Sequence, residues 1–230
     1  MQLYIGNKNY SSWSMRPWVL MHHFGMAFEE VRVRFDSFAP DSQFKRTLAA
    51  LGAPTAKVPL LVTPEGWQVW DTLAIAEYLA EHHPEHPVWP REARLRARAR
   101  SLCAEMHSGF GALRSHCPQN LEAQLPDVGQ RVLAEQPGVR ADLARLVQMW
   151  QSALADSGGP FLMGAFGNVD AYFAPVVGRL RTYALPVPDD VAAYMARVWA
   201  SPGVAAWVAQ ALAERDFLDF EEPYRSAPGA

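Results

Sequence analysis

Apolar positions along the chain follow two regimes. Up to about residue 83 they come in short runs. Residues 3–5 form an apolar run suited to a buried strand, and Ser14 is placed to cap a helix that takes Pro17 in its first turn and ends near Phe24, before Gly25. Residues 28–33, FEEVRV, alternate roughly and predict a second strand, after which 41–51 returns to helical spacing. Residues 58–62 are a third apolar run. The turn TPEG joins it to 67–70 as a hairpin, and 71–83, DTLAIAEYLAEHH, predicts a closing helix.

From residue 91 onward the pattern changes to recurrent three-and-four spacing, over 91–116, 128–156, 168–183, 189–199 and 204–215, which predicts an all-α bundle. Pro84, Pro87 and Pro90 cannot sit inside a helix, so 84–90 reads as a semi-rigid linker. The first part, with the order β-α-β-α-β-β-α, has the arrangement of a thioredoxin-like domain. The expected fold is therefore α/β followed by all-α: a thioredoxin-like domain at 1–83, a linker at 84–90 and a helical domain at 91–230. The last ten residues, EEPYRSAPGA, predict a loosely held tail.

Composition narrows the partners. The formal charge is −3, which gives no basic surplus for a phosphate backbone, so nucleic acid is not an expected partner. No run approaches the roughly 18 apolar residues of a membrane span, and the start lacks the pattern of a secretory signal. Cys103 and Cys117, the two cysteines, lie several turns apart along one expected helix, too far for a disulfide. Reduced thiols and a cytoplasmic setting are the expectation.

Four motifs carry a resemblance: NYSSWSMR at 9–16, KVPLL at 57–61, WDTLAIAEYL at 70–79 and FGNVDAYFAPV at 166–176. In this order they resemble the cytosolic glutathione transferases. The SSWS form is closest to the serine-type bacterial enzymes and more distantly similar to the zeta class that includes maleylacetoacetate isomerases. The resemblance implies glutathione as co-substrate, a small electrophile as acceptor, a role in detoxification, no metal, and a homodimer in which the first domain of one subunit meets the second domain of the other.

A free thiol has a pKa of roughly 8.5, so a transferase must stabilise the thiolate that attacks. A hydroxyl at a helix N-terminus does this. The resemblance favours Ser11, with Ser12 next and Tyr10 as a minor alternative; turn and cap roles for these serines stay open. It also implies a cis Val58-Pro59 bond that exposes backbone to the cysteinyl part of glutathione, and Lys57, or Lys45, for the glycyl carboxylate. Asp71 and Thr72, opening a helix, suit the γ-glutamyl end. Trp13, Met106, Phe110 and Arg114 are candidates for the acceptor pocket, although core packing competes for the apolar ones. Asp170 is assigned to structure; Gly167 replaces the usual Ser/Thr cap, and Asn168 is a candidate for a shifted one. His82, His83 and His86 straddle a proline and lack fixed ligand spacing, so metal is not expected there.

Three functions compete. A conjugating or peroxidase-like transferase ranks first. A zeta-like isomerase ranks second, because Trp13 and Met15 replace the cysteine and tryptophan of the zeta run SSCSWR, and such an enzyme needs cations such as Arg16 or Arg114 facing the sulfur. A non-catalytic glutathione-binding or partner-binding module ranks third.

Overall fold

Leu3 and Ile5 are fully buried between half-buried Gln2 and Tyr4, the alternation of a strand with one face in the core. This strand, β1 (Gln2–Ile5), lies inside a four-stranded sheet of order β2-β1-β3-β4. β2 (Glu29–Arg32) runs parallel to β1, whereas β3 (Leu60–Val62) and β4 (Gln68–Trp70) form an antiparallel hairpin beside it. Helices α1 (Ser12–His23), α2 (Gln43–Ala50) and α3 (Thr72–His82) connect and close this unit, giving the expected thioredoxin-like order. The structure is a computed structural model and describes residues 1–228.

The remainder is helical: α4 (Ala93–Ser108), α5 (Gly111–His116), α6 (Pro126–Glu135), α7 (Pro137–Ser157), α8 (Asn168–Thr182), α9 (Asp189–Ala200) and α10 (Pro202–Glu214). Two helices expected to be continuous are broken. The one over 91–116 stops at Gly109 because Phe110 takes a left-handed conformation, φ 56°. The one over 128–156 breaks before Pro137, which has no N–H to continue the ladder. Both breaks turn the chain without interrupting the apolar face, so spacing alone did not reveal them.

The two regions share one apolar core, in which α1 packs against α8 and α10. At Gly203 the start of α10 comes so close to α1 that an added Cβ would lie 2.4 Å from the Val19 carbonyl oxygen. Arg16 donates from Nε to the Tyr172 carbonyl at 2.9 Å, and Trp207 donates to the Lys8 carbonyl at 3.1 Å. The loop ahead of α1 is thereby fixed against the helical region.

Asp170 is fully buried and accepts from Leu162 N–H, Gly167 N–H and the Tyr194 hydroxyl at 3.1–3.2 Å. Half of a capping box therefore forms at α8. Asn168 does not provide the shifted cap, since its amide turns to Cys103 Sγ. Gly167 packs against the linker, where a Cβ would meet the Val88 and Pro87 carbonyls at 3.2 and 3.3 Å. Asp170→Ala strands three buried donors, and a loss of about 3 kcal/mol or more is expected in denaturant unfolding. Burial pushes the Asp170 carboxyl from 3.8 up to about 7. Between those values the folded chain holds a proton that the unfolded chain has lost. Its contribution to stability therefore falls as pH rises through that window, a slope that Asp170→Asn should flatten.

Candidate active site

The turn between β1 and α1 is tightened by the Asn7 carbonyl, which accepts from Ser11 N–H at 2.8 Å and Tyr10 N–H at 3.2 Å. The Asn7 side chain in turn accepts from Phe35 N–H and donates to Asp216, both at 2.8 Å. Ser11, rather than Ser14, occupies the N-cap position of α1, and it makes no side-chain cap bond. Ser14 lies in the first turn, where its Oγ accepts from Gly6 N–H at 3.2 Å and sits 2.7 Å from Ser11 Oγ. An apolar rule for the cap failed here because the helix starts earlier than its apolar face. Ser12 Oγ accepts from Arg179 at 3.3 Å.

Three adjoining clefts open around this turn. The first, of about 350 Å³, is lined by Ser11, Ser12, Trp13, Lys45, Lys57 and Val58 among others. A neighbouring one shares Trp13, Lys57 and Val58 and adds Pro59, Asp71, Thr72, His107 and Arg114. A third, of about 340 Å³, holds Ser12, Trp13, Arg114 and Arg179. The fold thus brings together Ser11, Ser12, Trp13, Lys45, Lys57, Val58, Pro59, Asp71, Thr72 and Arg114. It does not bring Met106 and Phe110 there: both side chains are buried in the main core.

Lys45 donates to the Ala56 carbonyl at 2.8 Å, and burial followed by repulsion from Lys57 lowers its pKa. Lys57 has no ion-pair partner among the described residues. Two amines sharing one wall make an anion-seeking end to the first cleft. The Val58-Pro59 bond is cis, as the sequence reading expects. Asp71 sits at φ 72°, unusual for a residue with a Cβ, and its carboxylate accepts from Leu73 N–H at 2.9 Å at the start of α3. The free N–H groups and positive end of that helix face the same corner.

Tyr10, the minor alternative, lines the first and third clefts, but its hydroxyl is engaged away from them. Its hydroxyl donates to Glu222 at 2.7 Å, and burial together with that carboxylate raises its pKa.

Several residues escaped the sequence reading. His107, on α4, has Nε2 3.4 Å from Asp71 and Nδ1 2.9 Å from the Tyr172 hydroxyl, which is itself 2.8 Å from Thr72 Oγ1. A polar chain from the helical region therefore braces both residues at the start of α3. A single histidine on a helix carries no sequence signal, and neither does Arg179, whose role depends on α8 packing against α1. The structure also gathers His83, Glu85 and His86, whose ligand-capable atoms lie within 4.8 Å of one another across the proline turn. His82 turns instead to the Tyr78 carbonyl.

The family profile described as Glutathione S-transferase, N-terminal domain, matches residues 10–82. A probable maleylacetoacetate isomerase from Caenorhabditis elegans is 42% identical over 60 residues, 26% of this chain; the match spans only 28% of that relative's length. In structure, the chain is similar to a glutathione transferase homologue from Burkholderia with bound glutathione, at 26% identity and TM-score 0.67, covering 92% of this chain and 97% of the other. A maleylacetoacetate isomerase from Methylobacterium extorquens with bound malonate and glutathione is similar at 23% identity and TM-score 0.64, over 90% and 95% of the two chains, which shows a shared fold. Residues 10–82 thus match the N-terminal domain of glutathione S-transferases in sequence, and nearly the whole chain is similar in fold to glutathione transferases of known structure.

Proposed function

We propose that the protein is a glutathione transferase in which the Ser11 hydroxyl stabilises the thiolate of glutathione for attack on a small electrophile. The observation that carries this reading is the placement of Ser11 at the start of α1, on a cleft with Lys45 and Lys57 at one end and the α3 N-terminus adjoining it. In this reading the glycyl carboxylate lies by the lysines, the cysteinyl backbone by Val58, and the γ-glutamyl group by Asp71 and Thr72. In conjugation the thiol proton passes to solvent, an S–C bond forms, and the acceptor either loses a leaving group or takes up a proton.

Ultraviolet difference titration of bound glutathione against pH tests it directly. A thiolate band well below the free-thiol pKa is expected; glutathione binding with no thiolate would leave a binding module instead.

His107 serves in this reading as a positioning residue. His107→Phe keeps a ring against Trp13, whose centroid lies 5.1 Å away, but drops the contacts to Asp71 and Tyr172. A loss of about 1 kcal/mol corresponds to a roughly fivefold rise in KM for glutathione with little change in kcat. An equal fall in kcat would instead place His107 in the chemistry.

The zeta-like isomerase is the second reading. It is favoured by the match over 60 residues to the probable maleylacetoacetate isomerase and by Arg114 and Arg179 beside Ser12. The thiol machinery is common to both readings.

The division into a glutathione-binding domain at 1–83 and an acceptor-side domain at 91–230, joined by 84–90, belongs to the same proposal, as do a cytoplasmic setting and a homodimer. No helix among the described residues is long and apolar enough to cross a membrane. Cys103 and Cys117 are both free and buried, in keeping with a reducing compartment. Light scattering should give twice the 25.6 kDa chain mass.

A further inference from the structure

The turn that leaves α3 gathers three side chains that line none of the three clefts around Ser11. His83 ends α3, donating its N–H to the Leu79 carbonyl at 2.9 Å, and its own carbonyl accepts from His86 N–H at 3.0 Å. Residues 83–86 are thus a closed turn, with Pro84 at the second position, where its fixed φ suits a turn. Val88 N–H returns to the His86 carbonyl at 2.9 Å, so the backbone is held on both sides. Sequence spacing shows neither a helical nor a strand pattern of ligands here. The turn supplies the proximity instead.

Glu85 Oε1 lies 3.3 Å from His83 Nδ1 and 3.6 Å from His86 Nε2, and one donor atom from each residue falls within 4.8 Å of the other two. Metal bonds of about 2.0–2.2 Å in a tetrahedron set neighbouring ligand atoms roughly 3.3–3.6 Å apart. The two contacts to Glu85 already have that size. His86 is steadied by Phe24, whose ring stacks on it at 5.2 Å. Both imidazoles are half-buried and Glu85 is exposed, so side-chain rotation can draw the ligands together while a fourth position stays open to water. The negative end of α3 adds to the carboxylate in favouring a cation.

Three arginines share a cleft with His86 and bear on the charge balance. Arg100 pairs with Glu77 at 2.7 Å, Arg96 donates to the Arg91 carbonyl at 2.7 Å, and Arg91 itself is solvent-exposed. Two imidazoles with one carboxylate suit a transition ion; calcium and magnesium require more oxygen ligands.

We propose that His83, Glu85 and His86 bind a divalent transition metal ion of the zinc type, with water completing its coordination. The site is a brace for the linker. The Val88 carbonyl, two residues beyond His86, accepts from Asn168 N–H at 2.9 Å, so the ion ties the end of α3 to the segment that docks on the start of α8.

Calorimetric titration of the full chain with Zn²⁺ at neutral pH tests it. One ion per chain is expected, with Mg²⁺ giving no comparable heat. His83→Gln and Glu85→Gln alter side chains that reach solvent, so folding is not at risk, and each should weaken Zn²⁺ binding by about tenfold or more, the scale on which even supporting residues of a metal site act. His82→Gln should bind as the natural protein does, because that ring turns to the Tyr78 carbonyl. Added Zn²⁺ should raise Tm in the natural protein and in His82→Gln, and much less in the other two variants. The proposal is overturned by Zn²⁺ binding that survives both His83→Gln and Glu85→Gln, by an equal loss in His82→Gln, or by Mg²⁺ binding as tightly as Zn²⁺.

Discussion

Ser11→Ala should lower kcat/KM with a conjugation substrate by roughly 10²-fold at neutral pH, the scale seen when one hydrogen-bond donor to a developing anion is lost. The thiolate band of bound glutathione should move in parallel toward the free-thiol value of about 8.5. The sign of the pH dependence is part of the expectation. A donor at sulfur depresses the thiol pKa, so the deficit is largest where the free thiol is protonated and shrinks once pH exceeds its ordinary pKa.

The direction of one hydrogen bond decides whether Ser11 can act. Ser14 Oγ already accepts from Gly6 N–H, and the Ser11 and Ser14 oxygens are 2.7 Å apart. When Ser14 gives its proton to Ser11, the Ser11 proton is free to point into the cleft; when Ser11 gives its proton to Ser14, none remains for sulfur. Either rotor is available to a hydroxyl. A thiolate in the cleft selects the first arrangement, because it adds a charged acceptor at the end of the chain. Ser12 has the opposite circumstance: Arg179 occupies a lone pair and leaves its proton uncommitted. The Ser12→Ala variant is therefore the necessary companion. A larger loss in Ser12→Ala than in Ser11→Ala would transfer the activating role to Ser12 while leaving the fold and the cleft as described.

The elements of the sheet region were legible because each is set by local pattern. Leu3 and Ile5 alternate with half-buried neighbours, Ser42 caps α2 by accepting from Lys45 N–H, and Asp71 caps α3 by accepting from Leu73 N–H. Ser11, Ser12 and Trp13, or Val58 and Pro59, are neighbours in sequence, but local pattern left turn and cap roles open for the serines, and their candidacy for a site came from the resemblance. What could not be read was supplied by distant elements. His107 reaches Asp71 only because α4 lies beside α3, and Arg179 reaches Ser12 only because α8 packs on α1. Met106 and Phe110 show the reverse error of spacing: a helical face that is apolar fits a pocket wall and a core equally well, and here the left-handed turn at Phe110 carries its ring into the core.

The chain's end shows the largest difference between pattern and structure, and its consequence is a stability prediction: Arg225→Ala should cost about 3–5 kcal/mol. Rich in proline and polar residues, the tail gives no apolar reason to be held, yet Glu222 and Arg225 are almost wholly buried. The Glu222 carboxylate accepts from Tyr10 at 2.7 Å, from Asn120 at 2.8 Å and from Arg225 Nε at 2.9 Å. Arg225 also reaches Glu122 at 3.0 Å. Asn120 accepts in turn from Asn9, whose own oxygen takes the Leu121 and Glu122 N–H groups at 2.7 and 2.9 Å. The tail therefore clamps the loop that carries Ser11 from behind. Removing Arg225 leaves a buried carboxylate without its counter-charge, a large fraction of the roughly 5–15 kcal/mol that holds a typical domain. The paired replacement Glu222→Gln with Arg225→Met removes both charges and should recover much of the loss. Urea unfolding of the three proteins measures this, and a loss below about 1 kcal/mol in Arg225→Ala, the scale of an exposed ion pair, would return the tail to the loosely held segment its sequence suggests.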